Sequence, residues 1–450
     1  FDPNLLLVVL FSLFAIGPLL QPGYPWEAHD ARHSVYFLFE FDQGIQEGNL
    51  YPRWQPDFAF GYGYPFFNIY GPLSTYVGEA FYLLGLSFTG AVKAVLALSV
   101  VGSGLAMYGF VKQVLGRRAG LVAAVAYMVI PYRLVDLYVR TALAESVAYV
   151  FVPLVLWGVW ATLYRPRLAN VLGLALAYAA LLVTHPLTAL LLTIILVFYI
   201  AVLALARVND GQPWRRLSWS SLWALLGHLG NVLFPTALGL VLGLGLSASS
   251  LLPAMTENIF VRVDQWYGGR YAWGGDFVEF FQLFSPRWGF GTSVPGPDDE
   301  ISFQLGAVPI ILSLLALVPL FSQTLRARLS PPARRLTAFF AVLTGIVVYL
   351  MLGVSAPLWQ VLPLVRLAQF PWRLLALTAL TLSILAGMAV PRSAGRRIHS
   401  KTLVLALVAV LGSYAYTLPQ YTPVPDSAEG PRLTIEFEIE YDLSLIHISE

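Results

Sequence analysis

No cysteine occurs anywhere in the 450 residues. That excludes thiolate nucleophiles, disulfides and zinc held by Cys ligands. Charge is nearly as scarce. Asp, Glu, Lys and Arg together make up 12% of the chain, about half of the roughly 25% usual in soluble domains. Walker, dinucleotide-fingerprint, HExxH and GxSxG motifs are also missing, and no nucleic-acid partner is expected.

What remains is apolar: 58% of the residues are hydrophobic and the mean hydropathy is +0.70. A membrane span needs ~20 predominantly apolar residues at ~1.5 Å each. Segments 5–20, 91–111, 119–137, 143–163, 169–184, 187–206, 232–253, 304–321, 336–354, 374–390 and 402–418 meet that need. Leu5 to Leu20 reads as a first span that has lost its start rather than as a signal peptide. The expected fold is therefore an all-α polytopic integral membrane protein of about 11 transmembrane helices, with interfacial helices on its outer face.

Segment 72–86 is a twelfth apolar stretch, short and carrying Glu79. Basic residues cluster at Lys112/Arg117/Arg118, Arg165/Arg167, Arg207/Arg215/Arg216, Arg326/Arg328/Arg334/Arg335 and Arg392/Arg396/Arg397/Lys401. If 72–86 does not cross, all five clusters fall on the cytoplasmic side, as the positive-inside rule demands. It is therefore read as re-entrant or interfacial. The outer face then carries a first loop, 21–90, a second at 132–145, a large loop, 254–303, and a short one at 355–372. Residues 1–418 form the transmembrane domain. The tail 419–450 begins an outer soluble domain, with strand-like alternation in TIEFEIEYDL; its closing SLIHISE reads as a cloning or sequencing scar.

The first outer loop gathers Glu27, His29, Asp30, His33, Glu40, Asp42 and Arg53 among many aromatics. An Asp just after the first span suits a general base that takes a proton from an acceptor hydroxyl, although such charges also serve as solvated loop residues. His29 and His33, four apart, would share a helical face beside Asp30. They are weak candidates for a divalent cation, and hydrogen-bonded interfacial histidines fit the pattern as well. In PYRLVDLYVRTALAESVAYV, Asp136 and Arg140 have the i,i+4 spacing of a surface ion pair. Glu145 opens an apolar span, where an ionisable side chain counts as a functional candidate. Its partner is Arg140, which is equally suited to grip a phosphate.

In DQWYGGRYAWGGDF, Trp273 and neighbouring aromatics stand near Arg270. They form either a platform for sugar rings or an interfacial belt. Arg373 in RLAQFPWR lies at an outer boundary, where it would meet a lipid phosphate or snorkel.

An Asp soon after the first span, followed by GNLYPRW, GYGYPFFNIYGPL, PYRLVDLYVRTALAE and QFPWR, resembles bacterial GT-C-fold membrane glycosyltransferases. The likeness covers most of residues 1–390 and points to the subgroup labelled 6-pyruvoyl-tetrahydropterin synthase-related membrane protein, a label that implies no pterin chemistry. The resemblance implies transfer of a sugar from a polyprenyl-phosphate-linked donor to a lipid, glycan or protein acceptor, at the outer face of a bacterial plasma membrane. By analogy Asp30 is the catalytic base, and Arg140 with Glu145 matches the second outer-loop motif. In related transferases a Lys-Pro-Pro-Leu segment precedes the re-entrant region. Here it reads Tyr70-Gly71-Pro72-Leu73, so Arg53, Arg140 or Arg373 would have to replace the lysine. A transporter, a lipid flippase and a non-catalytic scaffold are the rival readings. The enzyme reading requires Asp30, Arg140 and Glu145 to meet in one cavity.

Overall fold

The computed structural model describes residues 2–209, 219–257, 273–327, 329–362, 367–390 and 399–423. Arg270, Arg366 and the tail beyond 423 lie outside these described residues. Helices account for nearly all the regular structure, and only isolated β-bridges pair segments among the described residues.

Helix α1 (Pro3–Ile16) is followed by a long connection that holds α2 (Ala31–Gln46), α3 (Phe66–Ile69) and α4 (Leu73–Leu83). Then come α5 (Phe88–Leu115), α6 (Arg117–Val129), α7 (Pro131–Tyr138), α8 (Leu143–Tyr164), α9 (Leu168–Leu182), α10 (Pro186–Asn209), α11 (Trp219–Leu246) and α12 (Ala248–Thr256). The rest comprises α13 (Ala307–Phe321), α14 (Gln323–Arg326), α15 (Pro331–Met351), α16 (Ala356–Val361), α17 (Leu375–Met388) and α18 (Ser400–Leu411).

Among the described residues, seven helices are long and apolar enough to cross a membrane, and α6 with α7 makes an eighth if that bent pair is one span. The remaining expected segments form the shorter apolar helices α9, α13 and α18. Helix α4, with 11 residues, extends only ~16 Å at ~1.5 Å per residue, about half of the ~30 Å hydrocarbon core. It cannot cross alone. The segment expected at 232–253 is cut at Ser247, so the span ends at Leu246 and α12 is a separate short helix.

Proline sets several boundaries. Pro131 stands at the first position of α7, where its missing N–H is no loss. It also pushes Ile130 into an extended conformation (ψ 139°), which ends α6 and bends the pair by 42°. At the centre, α6 and the segment Pro371–Met388 are enclosed on all sides, 83% of the latter being buried. At the rim, only 17% of the Gly227–Leu246 span is buried. Large apolar side chains lie exposed along α1, α11, α13 and α15. Helices whose outward faces are this apolar are built for lipid contact.

Candidate active site

The site is stitched together by backbone. The Asp30 N–H donates to the Arg140 carbonyl (2.7 Å), and the His29 N–H donates to that of Val139 (3.2 Å). The loop bearing Asp30 is thereby laid along the segment that links α7 to α8. A second stitch brings in the 183–185 turn, where the Leu73 N–H donates to the Val183 carbonyl (3.1 Å). Gly71 lies so close that a Cβ there would collide with the Thr184 carbonyl. The GYGYPFFNIYGPL stretch thus needs glycine at 71 for close approach.

These contacts enclose a cavity of about 200 Å³ lined by Asp30, Phe37, Tyr70, Arg140, Glu145, His185 and Arg373, among others. Asp30, Arg140, Glu145 and Arg373 are brought together as the sequence motifs suggested. Asp30 occupies the N-cap position of α2, yet its side chain does not cap the helix. Among the described residues its carboxylate forms no hydrogen bond or ion pair. It is half-buried, at the positive end of a helix dipole.

Arg140 is held from several sides. One guanidinium nitrogen donates to Asp136 (2.5 Å), Glu145 (2.7 Å) and the Tyr132 hydroxyl (3.1 Å), and the group stands 5.1 Å from the Trp372 ring centre. The expected surface pair of Asp136 and Arg140 is in fact buried, with Asp136 0% and Arg140 5% exposed. Thr141, next in the chain, takes φ +53°. That is a costly conformation for a β-branched residue and one that marks functional sites. Gln369, at φ +63°, is the second strained residue beside the cavity. Its side-chain oxygen accepts from Arg373 at 2.5 Å. Arg373 makes no ion pair among the described residues, and its Nε has no hydrogen-bond partner.

His185 and Tyr70 complete the lining. Burial pushes His185 down to about 4, against the opposing pull of Glu145, so the ring is neutral. Its Nδ1 pairs with the Thr188 hydroxyl (2.7 Å). Burial and the nearby Asp30 carboxylate hold the Tyr70 phenol well above its ordinary range. Tyr70 stacks on Phe66 at 4.7 Å.

Other expected residues stand elsewhere. Arg53 donates to the Ser249 carbonyl (2.8 Å) and lies over Tyr51. Trp273 stacks on Trp359 at 5.9 Å. Neither lines the cavity. Glu40, Asp42 and Glu79 are buried but belong to the α2–α4 packing. Because α2 begins at Ala31, His29 precedes the helix and does not share a helical face with His33; it pairs instead with the Gly291 carbonyl (3.0 Å). Among the described residues, no three His, Cys, Asp or Glu side chains converge on a metal-sized site. Among the described residues, His29 and His33 therefore do not form the shared site for a divalent cation that their spacing allowed.

No protein-family model matches the chain. The fold is similar to that of the arabinofuranosyltransferase AftD from Mycobacteria, with 17% identity, a TM-score of 0.50 and coverage of 97% of this chain and 30% of that one. It is also similar to the oligosaccharyltransferase of Archaeoglobus fulgidus, with 13% identity, a TM-score of 0.50 and coverage of 99% and 57%. The described residues take up the GT-C fold of polytopic membrane proteins. In sequence, 237 residues are 20% identical to an uncharacterized protein of Lactococcus lactis subsp. cremoris (strain MG1363), over 51% of this chain and 38% of that protein. The chain thus spans well under two-thirds of the length of each.

Proposed function

We propose that the chain is a membrane glycosyltransferase that moves a sugar from a polyprenyl-phosphate-linked donor to a lipid, glycan or protein acceptor at the outer face of a bacterial plasma membrane. One observation carries the reading. The Asp30 carboxylate, without a partner among the described residues, shares a cavity with the guanidinium groups of Arg140 and Arg373.

Asp30 takes the proton of an acceptor hydroxyl. The acceptor oxygen bonds to the anomeric carbon as the bond from that carbon to the donor phosphate oxygen breaks. The phosphate leaves with the electron pair, and Arg373 stabilises the charge that develops on it. Arg140 is already neutralised by Asp136 and Glu145, so it adds position more than charge, and Glu145 fixes Arg140 rather than the sugar. A narrow hollow shares Glu145, His185 and Arg373 with the cavity and continues between Leu187, Leu191, Ala376 and Leu377.

The scaffold reading called for dispersed positions, and these converge. The transporter reading called for charges spread through several spans and helices broken near the midplane. Here the bend between α6 and α7 lies at the end that carries the cavity.

The test is genetic and biochemical. Cells lacking the protein are profiled for glycolipids and glycans that vanish, and the purified chain is assayed with the corresponding polyprenyl-phosphate sugar. Asp30→Asn should lower transfer by about 10²–10⁴-fold, the usual contribution of a positioned base, with unchanged thermal stability. Full transfer by Asp30→Asn would sink the assignment.

A further inference from the structure

The chain carries a second large cavity that the transfer reaction does not use. It lies between α8 and α9, measures about 590 Å³ and is lined by Phe151, Leu154, Trp157, Gly158, Gly173 and Leu176, with Ala161 and Asn170 at one end. The groove follows α8 from 151 to 161, ~15 Å at ~1.5 Å per residue. That is the depth of one bilayer leaflet, half of a ~30 Å core. The charged cavity sits at the start of α8, so the groove belongs to the opposite leaflet.

Beyond Ala161 and Asn170 the chain is cationic. Arg165 and Arg167 are exposed in the α8–α9 turn, and Arg207 is exposed at the end of α10. Aromatic rings tie two of them together. Trp160 stacks on Tyr164 at 5.1 Å, Arg165 stands 5.9 Å from the Trp160 ring, and Arg207 stands 5.7 Å from that of Tyr164. The Asn170 side chain donates to the Arg165 carbonyl (2.6 Å), which fixes the turn. The sequence from Trp160 to Asn209 contains no Asp or Glu. An apolar slot one leaflet deep, with a basic turn just beyond its Ala161 and Asn170 end, matches one acyl chain and the phosphate of an anionic lipid.

From this charge complementarity we infer that the α8–α9 groove is a binding site for an anionic phospholipid of the leaflet opposite the charged cavity. It is distinct from the donor site and does not depend on the proposed transfer reaction. One acyl chain lies along Gly158 and Gly173, and the lipid phosphate meets Arg165 and Arg167.

The experiment uses the purified full chain, stripped of lipid in detergent and then offered phosphatidylglycerol or phosphatidylcholine. Native mass spectrometry counts the lipid retained. One phosphatidylglycerol per chain should be held about thirtyfold better than phosphatidylcholine, as two basic residues near a membrane surface imply. The double variant Arg165→Gln/Arg167→Gln should bring the two lipids to parity. Gly173→Leu, at a position where a Cβ meets nothing within 4 Å, should fill the slot and abolish retention of both. Thermal midpoints matching the parent without lipid show that each variant is folded; Arg167→Gln alone replaces the double variant if that one is not. Equal retention of the two lipids by the parent would overturn the inference. So would undiminished phosphatidylglycerol retention in the variants, or displacement by glycerol phosphate, which would mark a site for free phosphate.

Discussion

Two ionic clusters hold the ends of the bundle, and they are built on opposite terms. Near the start of the chain, Asp2 accepts from Lys112 (2.8 Å), Arg117 (3.2 Å) and the Tyr108 hydroxyl (2.7 Å). Both cations there are about one-third exposed, at 36% and 31%. Burial pushes the Asp2 carboxyl up, but these donors more than offset it and hold the group below its ordinary range. At the other end the ratio is reversed. One cation, Arg140, serves two carboxylates, with side chains 6% exposed or less. The first cluster is an anchor at a wet boundary. The second is buried, strained at Thr141 and next to a cavity. Tethering alone would not require that burial or that strain.

The sharpest way to break this comparison is to remove each cation in turn. Arg140→Ala strands Asp136 and Glu145 without their counter-charge, so a loss of about 3–5 kcal/mol is expected. Denaturation of the purified chain in detergent would measure it, and a loss near zero would mean that the carboxylates are already neutral. Next in size is Gly71→Ala, whose methyl meets backbone rather than a flexible side chain. Overpacking of this kind costs about 1–3 kcal/mol, and transfer should suffer with stability because the Tyr70 loop must back away from Thr184.

The Glu79 carboxyl offers a pH test. Burial, then the neighbouring Asp42, pushes it up from 4.5 to about 7. The folded chain holds this proton more tightly than the unfolded chain does. Its contribution to stability is therefore complete below about 4.5 and is lost as pH rises through 7. Glu79→Gln should flatten that slope and gain on the order of 1–2 kcal/mol over the parent at pH 8. Thermal midpoints at pH 5 and pH 8 read the difference. The smallest effect belongs to the anchor. Lys112→Gln should cost about 0.2–1 kcal/mol, less at high salt, as exposed pairs do.

The apolar segments were legible because a span leaves a long uniform run. All eleven expected segments overlap a helix or the bent pair. Charge legibility depended on depth. Arg140 and Glu145 stood out because ionisable groups are rare beside such runs, and both line the cavity. Arg53 was a candidate by its loop and Trp273 by its aromatic neighbours, and tertiary packing places both outside the cavity lining. His185 and Tyr70 line the cavity, although a turn histidine and a loop tyrosine carry no periodic signal. What makes them cavity residues is the approach of Gly71 to Thr184, a contact between distant parts of the chain. The helix start at Ala31 likewise separates His29 from His33, and that boundary is not visible in their spacing.

The bond from the Asp30 amide to the Arg140 carbonyl also has a consequence in time. Its partners are separated by about 110 residues, and chains are synthesised at ~5–20 residues per second. The loop bearing the carboxylate is thus made about 5–20 s before the segment it must lie against. For that interval the nascent chain holds a dangling acidic loop and no pocket, and the lining is complete only when His185 and, much later, Arg373 have followed.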